Sequence, residues 1–338
     1  MAKDNDYIRN MFGSIPTSTK KQGKSSAAKK QGASAQKKSG KGGASSVRTT
    51  AENDFFDELE KSGVTMTDEQ KSRIADKINS VLSYEPTVGV FGKTGVGKSS
   101  LCNALFGQDV CPIDDVAACT RNPKAVLLGL GNKGIKLMDV PGVGENRAKD
   151  KEYAELYSKL LPELDLVLWI IKADDRAMTS DESFYKTILK PHIKEGKAFF
   201  IVLNQVDKIE PYKEWNAEEH EPGAAQFVNI QRKVDEMAGF FGIAASKIIP
   251  VSANERYNLV KLVDEIVFAL PREKKITLFR AVSEENKSAI AQEHVQKSFI
   301  EVLGSTISGV VDKTVEFVER VGQVIKDILD RLPKWPLF

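Results

Sequence analysis

The chain has 338 residues, 41% hydrophobic and 28% charged, with 49 basic and 47 acidic side chains and a net charge of +2. That length accommodates one α/β core plus a helical accessory module, and the sequence shows neither a signal-peptide h-region nor a run apolar enough to span a bilayer. Cys102, Cys111 and Cys119 are too scattered for a disulfide framework and fit a reducing cytoplasm, and the histidines at 192, 220 and 294 lack metal-ligand spacing.

Residues 1–51 form a Lys-rich tail. Between Gly13 and Ala51 there are eight lysines and Arg48 but no acid. The tail therefore carries about +9, leaving about −7 on the rest of the chain. Rich in Lys, Ser, Gly, Ala and Gln, it has too little apolar surface to offset its ordering entropy and is expected to be disordered. Two readings stay open: a solubilising linker, or a polybasic arm that meets rRNA phosphates or an anionic membrane. It lacks the interleaved aromatics of a base-stacking element. Residues 52–86 read as a helical lead-in. A short helix is expected over Asn53 to Lys61, then a longer one opened by the capping-box pattern Thr67-Asp-Glu-Gln70. Ile74, Ile78, Val81 and Leu82 make one stripe that packs on the α/β core.

An apolar run ending at Phe91 leads into Gly92-Lys-Thr94-Gly95-Val96-Gly97-Lys98-Ser99 and then a helical pattern to Phe106. This strand–loop–helix is a phosphate-binding loop. Its glycines let backbone N–H groups, with those of Ser99 and Ser100, point at phosphate oxygens, and the helix presents its positive end. Lys98 would reach the β- and γ-phosphates, and the Ser99 hydroxyl would sit on Mg²⁺. Strands are expected at Ala125–Leu130 and Ile135–Val140. The second of these runs into Asp139-Val-Pro-Gly142, where Asp139 would hold Mg²⁺ through a water and Gly142 would offer its N–H to the γ-phosphate. Helix Tyr153–Leu161, strand Leu166–Ile171 and helix Asp181–Leu189 come next. Strand Ala198–Leu203 ends in Asn204-Gln-Val-Asp207, whose carboxylate can accept from guanine N1 and N2, donors that adenine lacks. Helix Gln226–Phe241 precedes strand Ile248–Val251 and Ser252-Ala253, where a backbone N–H is expected to meet guanine O6. A helix at Leu259–Leu270 closes the pattern. Strands alternating with helices predict an α/β fold with a mostly parallel six-stranded sheet covered on both faces, every motif lying at a strand C-terminus.

Past Pro271 the chain changes character. Lys274 to Gln296 is polar and predicted helical. An apolar stripe then runs through Leu303, Ile307, Val311, Val315, Val318, Val321, Ile325, Leu329 and Leu332, interrupted by Gly304, Gly309 and Gly322, with charges opposite. It can pack as a hairpin on the N-terminal helices, pair with a second copy as a homo-oligomer, or lie in an anionic membrane interface. The ending Leu332-Pro-Lys-Trp-Pro-Leu-Phe338 could insert at a lipid surface or dock on a partner. No G-x-x-G nucleic-acid loop in a strand–helix setting is evident.

The four motifs, in this order, resemble the GTPases of the Ras-like superfamily, and more closely the Era-related branch that includes small bacterial proteins described as 50S-ribosome-binding GTPases. The resemblance covers about Thr87 to Pro271, an expected G domain of residues 87–271 followed by a C-terminal helical region, 272–338. It implies GTP or GDP with Mg²⁺ as ligands, and a switch threonine on the metal. Cys119-Thr120-Arg121 places that role on Thr120, beside Lys98 and Gly142 as catalytic residues. The chain departs from the pattern at three places. Gln205 stands where a lysine usually packs along the base. Val143 occupies the position of the water-orienting glutamine, and Gly95 that of an asparagine that helps bind potassium in some relatives. Slow intrinsic hydrolysis is therefore expected. The functional reading is a cytoplasmic GTP-hydrolysing switch acting on ribosome or RNA. Beside it stand a membrane-associated or self-assembling GTPase, loosely like the dynamin or immunity-related types, and a nucleotide-gated protein-binding module.

Overall fold

The computed structural model describes residues 56–57, 59–61, 63–107, 126–129, 136–139, 161–175, 179–191, 197–311 and 323. The basic tail, Thr120, Gly142, Val143, most of the helix expected at 153–161 and the apolar stripe beyond Val311 lie outside those residues.

Six strands form one sheet: β1 (Thr87–Phe91), β2 (Val126–Gly129), β3 (Lys136–Asp139), β4 (Leu166–Lys172), β5 (Ala198–Asn204) and β6 (Ile248–Pro250), in the order β2-β3-β1-β4-β5-β6. All neighbours are parallel except β2, which runs antiparallel to β3 with Val126 opposite Asp139. Because β1 sits between β3 and β4, later strands are added first on one side of it and then on the other. That reversal opens a crevice at the strand C-termini.

The period-two alternation of β4 and β5 sorts their side chains onto two cores. Leu166, Leu168, Ile170, Ala198, Phe200 and Val202 face one layer, while Val167, Trp169, Ile171, Phe199, Ile201 and Leu203 face the other. Both strands are buried on both faces, which is why they read as continuous apolar runs. Trp169 lies between Phe91, with ring centres 6.0 Å apart, and Phe184 at 4.9 Å. The helix expected at 181–189 begins at Thr179 as α3 (Thr179–Phe184) and widens into a π-helical stretch over Tyr185–Leu189, where Tyr185 packs on Phe199 and Phe241. Phe241 closes α4 (Ala224–Phe241), which covers the same face.

Among the described residues, the other face is covered by α1 (Asp68–Leu82), α2 (Lys98–Phe106), α5 (Leu259–Ala269), α6 (Arg272–Ala281) and α7 (Ala289–Val311), with the helical Phe56 and Leu59 packed into the same core. Thr67 caps α1 in a reciprocal box with Gln70, and Ile74, Ile78 and Val81 face inward as the stripe requires. The polar reading of Lys274–Gln296 needs correction. Ile276, Leu278, Phe279, Ala281 and Val282 are core residues, and even Lys275 is buried. Its ammonium donates to Val267 O (2.7 Å) and Phe268 O (3.2 Å) at the end of α5 and sits 2.8 Å from His294 Nε2. The polar groups are thus paired across helices, so hydropathy alone misreads the segment. In α7, Leu303 and Ile307 are covered by the protein itself. No helix among the described residues is long and apolar enough to cross a membrane.

Asp165, buried before β4, joins the parts. It accepts from Tyr84 Oη (2.7 Å), Thr87 N (2.8 Å) and Lys274, while its own N–H donates to Thr87 O (2.8 Å). The lead-in, the first strand and α6 meet on one carboxylate. No break in packing follows Pro271 within the described residues.

Candidate nucleotide site

The loop between β1 and α2 passes so close to its neighbours that two glycines are sterically required. Gly92 has φ +146°, and a Cβ there would lie 2.4 Å from Ile170 O on β4. Gly97, the N-cap of α2, is left-handed at φ +89°, and a Cβ would come within 2.5 Å of Asn204 Nδ2. Thr94 and Gly95 form the exposed rim, Val96 is buried beneath them, and Ser99 and Ser100 are half-buried in the first turn of α2. No side chain caps that helix and no acid occupies its first turn. The first-turn N–H groups, which an α-helix cannot satisfy internally, therefore face the loop. Lys98 folds back over the ring, donating to Gly92 O (2.9 Å) and Lys93 O (3.1 Å), so the ammonium is held at the loop's centre.

Sequence reasoning overlooked how this loop is held in place. Lys93 Nζ lies 2.6 Å from Asp181 Oδ2 and 3.2 Å from Asp175 Oδ2. The closer contact is ionic rather than an aligned hydrogen bond. Burial raises the Asp181 carboxyl above the usual range, opposed by Lys93. Burial also disfavours the Lys93 charge, but the two carboxylates outweigh it and raise the lysine. The only sequence signal was a pair of acids after an apolar strand, Asp174-Asp175, which is common at helix and loop starts.

Asn204, at the end of β5, ties two loops together. Almost wholly buried, it donates from Nδ2 to Val96 O (2.9 Å) and accepts at Oδ1 from Ala253 N (3.1 Å). Gln205, left-handed at φ +64°, reaches Gly95 O from Nε2 at 3.3 Å, and Lys208 donates to its Oε1 at 2.7 Å. The glutamine thus ties the end of β5 to the phosphate loop. Asp207 sits in a one-turn 3-10 helix, Val206–Lys208. Its Oδ1 is buried and has no hydrogen-bond partner among the described residues. Gln226, which no motif or spacing singled out, holds this turn by donating to Asp207 O (3.0 Å) and Ile209 O (2.9 Å).

The loop after β6 differs from expectation in one respect. Ser252 N donates to Tyr257 O (3.3 Å), and Tyr257 N donates back to Ser252 O (3.0 Å). With Ala253 N on Asn204, the Ser252 and Ala253 N–H groups, one of which was expected to meet guanine O6, both have protein acceptors. The reason is that the buried Asn204 carboxamide oxygen needs a donor of its own. A base in this pocket would compete with Asn204 for the Ala253 N–H.

Asp139 ends β3 level with Val90 of β1, two residues before Gly92, so its position in the sheet faces the loop's start. Among the described residues no three His, Cys, Asp or Glu side chains form a metal cluster.

Residues 87–205 match the family model described as 50S ribosome-binding GTPase. The chain is 40% identical over 238 residues to the uncharacterized protein YkfA of Escherichia coli (strain K12), covering 70% of this chain and 80% of that protein. YfjP of the same organism, also uncharacterized, is 39% identical over the same shares. GTPase Era of Aquifex aeolicus (strain VF5) is 30% identical over 188 residues, or 54% of this chain and 56% of that one.

Proposed function

Because the chain belongs to the Era-related P-loop GTPases, we propose that it is a slow GTP-hydrolysing switch whose nucleotide lies across the β1–α2 loop with its base on Asp207. The observation that carries this reading is the buried Oδ1 of Asp207, which has no donor among the described residues. An unpaired carboxylate oxygen is costly to bury, and the N1 and N2 donors of guanine would relieve that cost where adenine would not. The α2 N-terminus and Lys98 would neutralise the phosphates, with the ammonium pre-positioned by Gly92 O and Lys93 O. Mg²⁺, held by Ser99, Thr120 and through water by Asp139, would offset charge on the β- and γ-phosphate oxygens. Water would attack the γ-phosphorus while that phosphorus loses its bond to the β–γ bridging oxygen, the electron pair leaving with GDP and a water proton passing to the departing phosphate. Val143 can neither donate nor accept a hydrogen bond to that water, which is the reason to expect slow turnover without a partner.

For the partner, we favour ribosome or RNA. The support is the ribosome-binding description of the matching family and the acid-free basic run before Ala51. Two measurements test the reading. Asp207→Asn should move base preference from guanine to xanthine nucleotides, and an unchanged preference removes Asp207 from that role. Cosedimentation of the GTP-loaded chain with ribosomes should weaken steeply with salt and on deletion of residues 1–51. Salt-independent or absent binding would refute the RNA arm.

A further inference from the structure

The turn between α6 and α7 grips the nucleotide site from behind. Asn286, 2% exposed, donates from Nδ2 to Ala104 O (2.7 Å) and Leu105 O (3.3 Å), and Ser283 N donates to Leu105 O (2.9 Å). These carbonyls belong to the last turn of α2, where an α-helix lacks internal donors. The helix that starts at the phosphate loop therefore ends on a residue of the C-terminal helices. The same turn also holds the loop after β6. Arg256 Nη2 donates to the Glu285 carboxylate and, at 3.5 Å, to Asn286 Oδ1. Arg256 is itself left-handed, φ +57°, a conformation unfavourable for any residue with a Cβ.

A closed path results. Val96 O binds Asn204, Asn204 binds Ala253, the Ser252–Tyr257 pair carries the loop to Arg256, and Arg256 meets Glu285 and Asn286, of which Asn286 binds the end of α2. The phosphate end and the base end of the site are thus spaced by Asn204 in front and by the α6–α7 turn behind. We propose that Arg256, Glu285 and Asn286 are positioning residues for the guanine nucleotide, through which the C-terminal helices set its release rate. This rests on the base-pocket reading of Asp207. Loosening the rear tie lets α2 and the base loop drift apart, so phosphates and base are no longer held at matched spacing. By linkage, nucleotide must in turn stabilise the α6–α7 turn.

The test uses the full chain and the release of fluorescent GDP chased by excess GDP, for Arg256→Gln, Glu285→Gln and the double variant. Both side chains are exposed enough that folding is not at risk. Each single substitution should speed release about 3- to 10-fold, a usual range for coupling through such contacts. The double should be no faster than the faster single, because both remove one tie, and Arg256→Lys should restore part of the effect. Asn286→Ala should release fastest where it folds. Amides 283–287 should exchange more slowly in the GDP-bound protein. Wild-type release in both singles, or a double that multiplies two independent effects, overturns the proposal. A merely structural tie would lower thermal stability equally with and without GDP and leave release unchanged, which also overturns it. Asp207→Asn, run in parallel, keeps the two ideas apart. The tie variants should still prefer GDP to XDP, whereas a guanine-preferring Asp207→Asn defeats the base-pocket reading whatever the release rates are.

Discussion

Replacing Asn204 with alanine removes one side chain and orphans two loops. Val96 O loses its donor and Ala253 N loses its acceptor, both at a residue 1% exposed. A buried group left unpaired costs about 1–3 kcal/mol, so two amount to about 2–6 kcal/mol if neither is rehydrated. Thr94 and Gly95 on the rim are exposed, so the Val96 side can relax and admit water. The expected loss is therefore about 2–4 kcal/mol out of the ~5–15 kcal/mol that holds a typical domain. Urea unfolding of the nucleotide-free chain reads this as a lower midpoint at unchanged slope. GDP affinity should fall by about tenfold for each 1.4 kcal/mol of loop pre-organisation lost. Gly97→Ala drives a Cβ to 2.5 Å from Asn204 Nδ2, so it should break the same Val96 bond, and its effect should shrink in the Asn204→Ala background. A loss below ~0.5 kcal/mol for Asn204→Ala, the range of ordinary surface changes, would refute the account of Asn204 as the tie between the loops.

Three further outcomes are expected. Lys98→Ala should abolish tight nucleotide binding, and retained submicromolar affinity by isothermal titration would remove the phosphate-loop assignment. Thr67→Ala dismantles the capping box of α1 and should cost about 1 kcal/mol in chemical denaturation, with Thr67→Ser nearly neutral. Burial first, and then the Lys275 charge, hold His294 below its ordinary value of 6.5. Lys297 acts in the same sense, Glu301 opposes, and the Phe268 ring packs edge-on. The unfolded chain therefore binds the proton more readily. Stability should be full above pH ~6.5 and fall as pH drops from there towards the lower folded value. His294→Gln should flatten that slope in a pH series of urea midpoints, and an unchanged slope would acquit His294.

The fold was legible where burial is local in its signature. Strands β4 and β5 are apolar at every position because both faces are covered, and the alternation at 166–171 and 198–203 sorts cleanly onto two cores. The Thr67 box is likewise short-range, since its cause lies within a few residues, whereas Gly92 and Gly97 of the phosphate loop announce a turn locally but owe their steric need to Ile170 and Asn204 far along the chain. Helix α6 was misread because Lys275 and Thr277 are polar yet buried: the end of α5 and His294 partner Lys275, and Thr277 donates to Lys274 O within its own helix. The partners of Lys93 were invisible for the same reason: Asp175 and Asp181 come from beyond β4, and nothing near Lys93 announces them.

What the sequence determined by itself is the motifs and their order. A phosphate loop, an Asp-x-x-Gly, an Asn-x-x-Asp and a final Ser-Ala each follow a strand, and in a parallel sheet strand ends converge. Tertiary structure decided which donor meets which acceptor. Asn204 serves Val96 across 108 residues and Asn286 serves Ala104 across 182. Both are short polar side chains whose choice of partner depends on the packing of several elements at once. Periodicity reports whether a residue faces inward. Only the assembled layers fix what it finds there, because a buried amide must be satisfied by whichever backbone group the fold brings within about 3 Å.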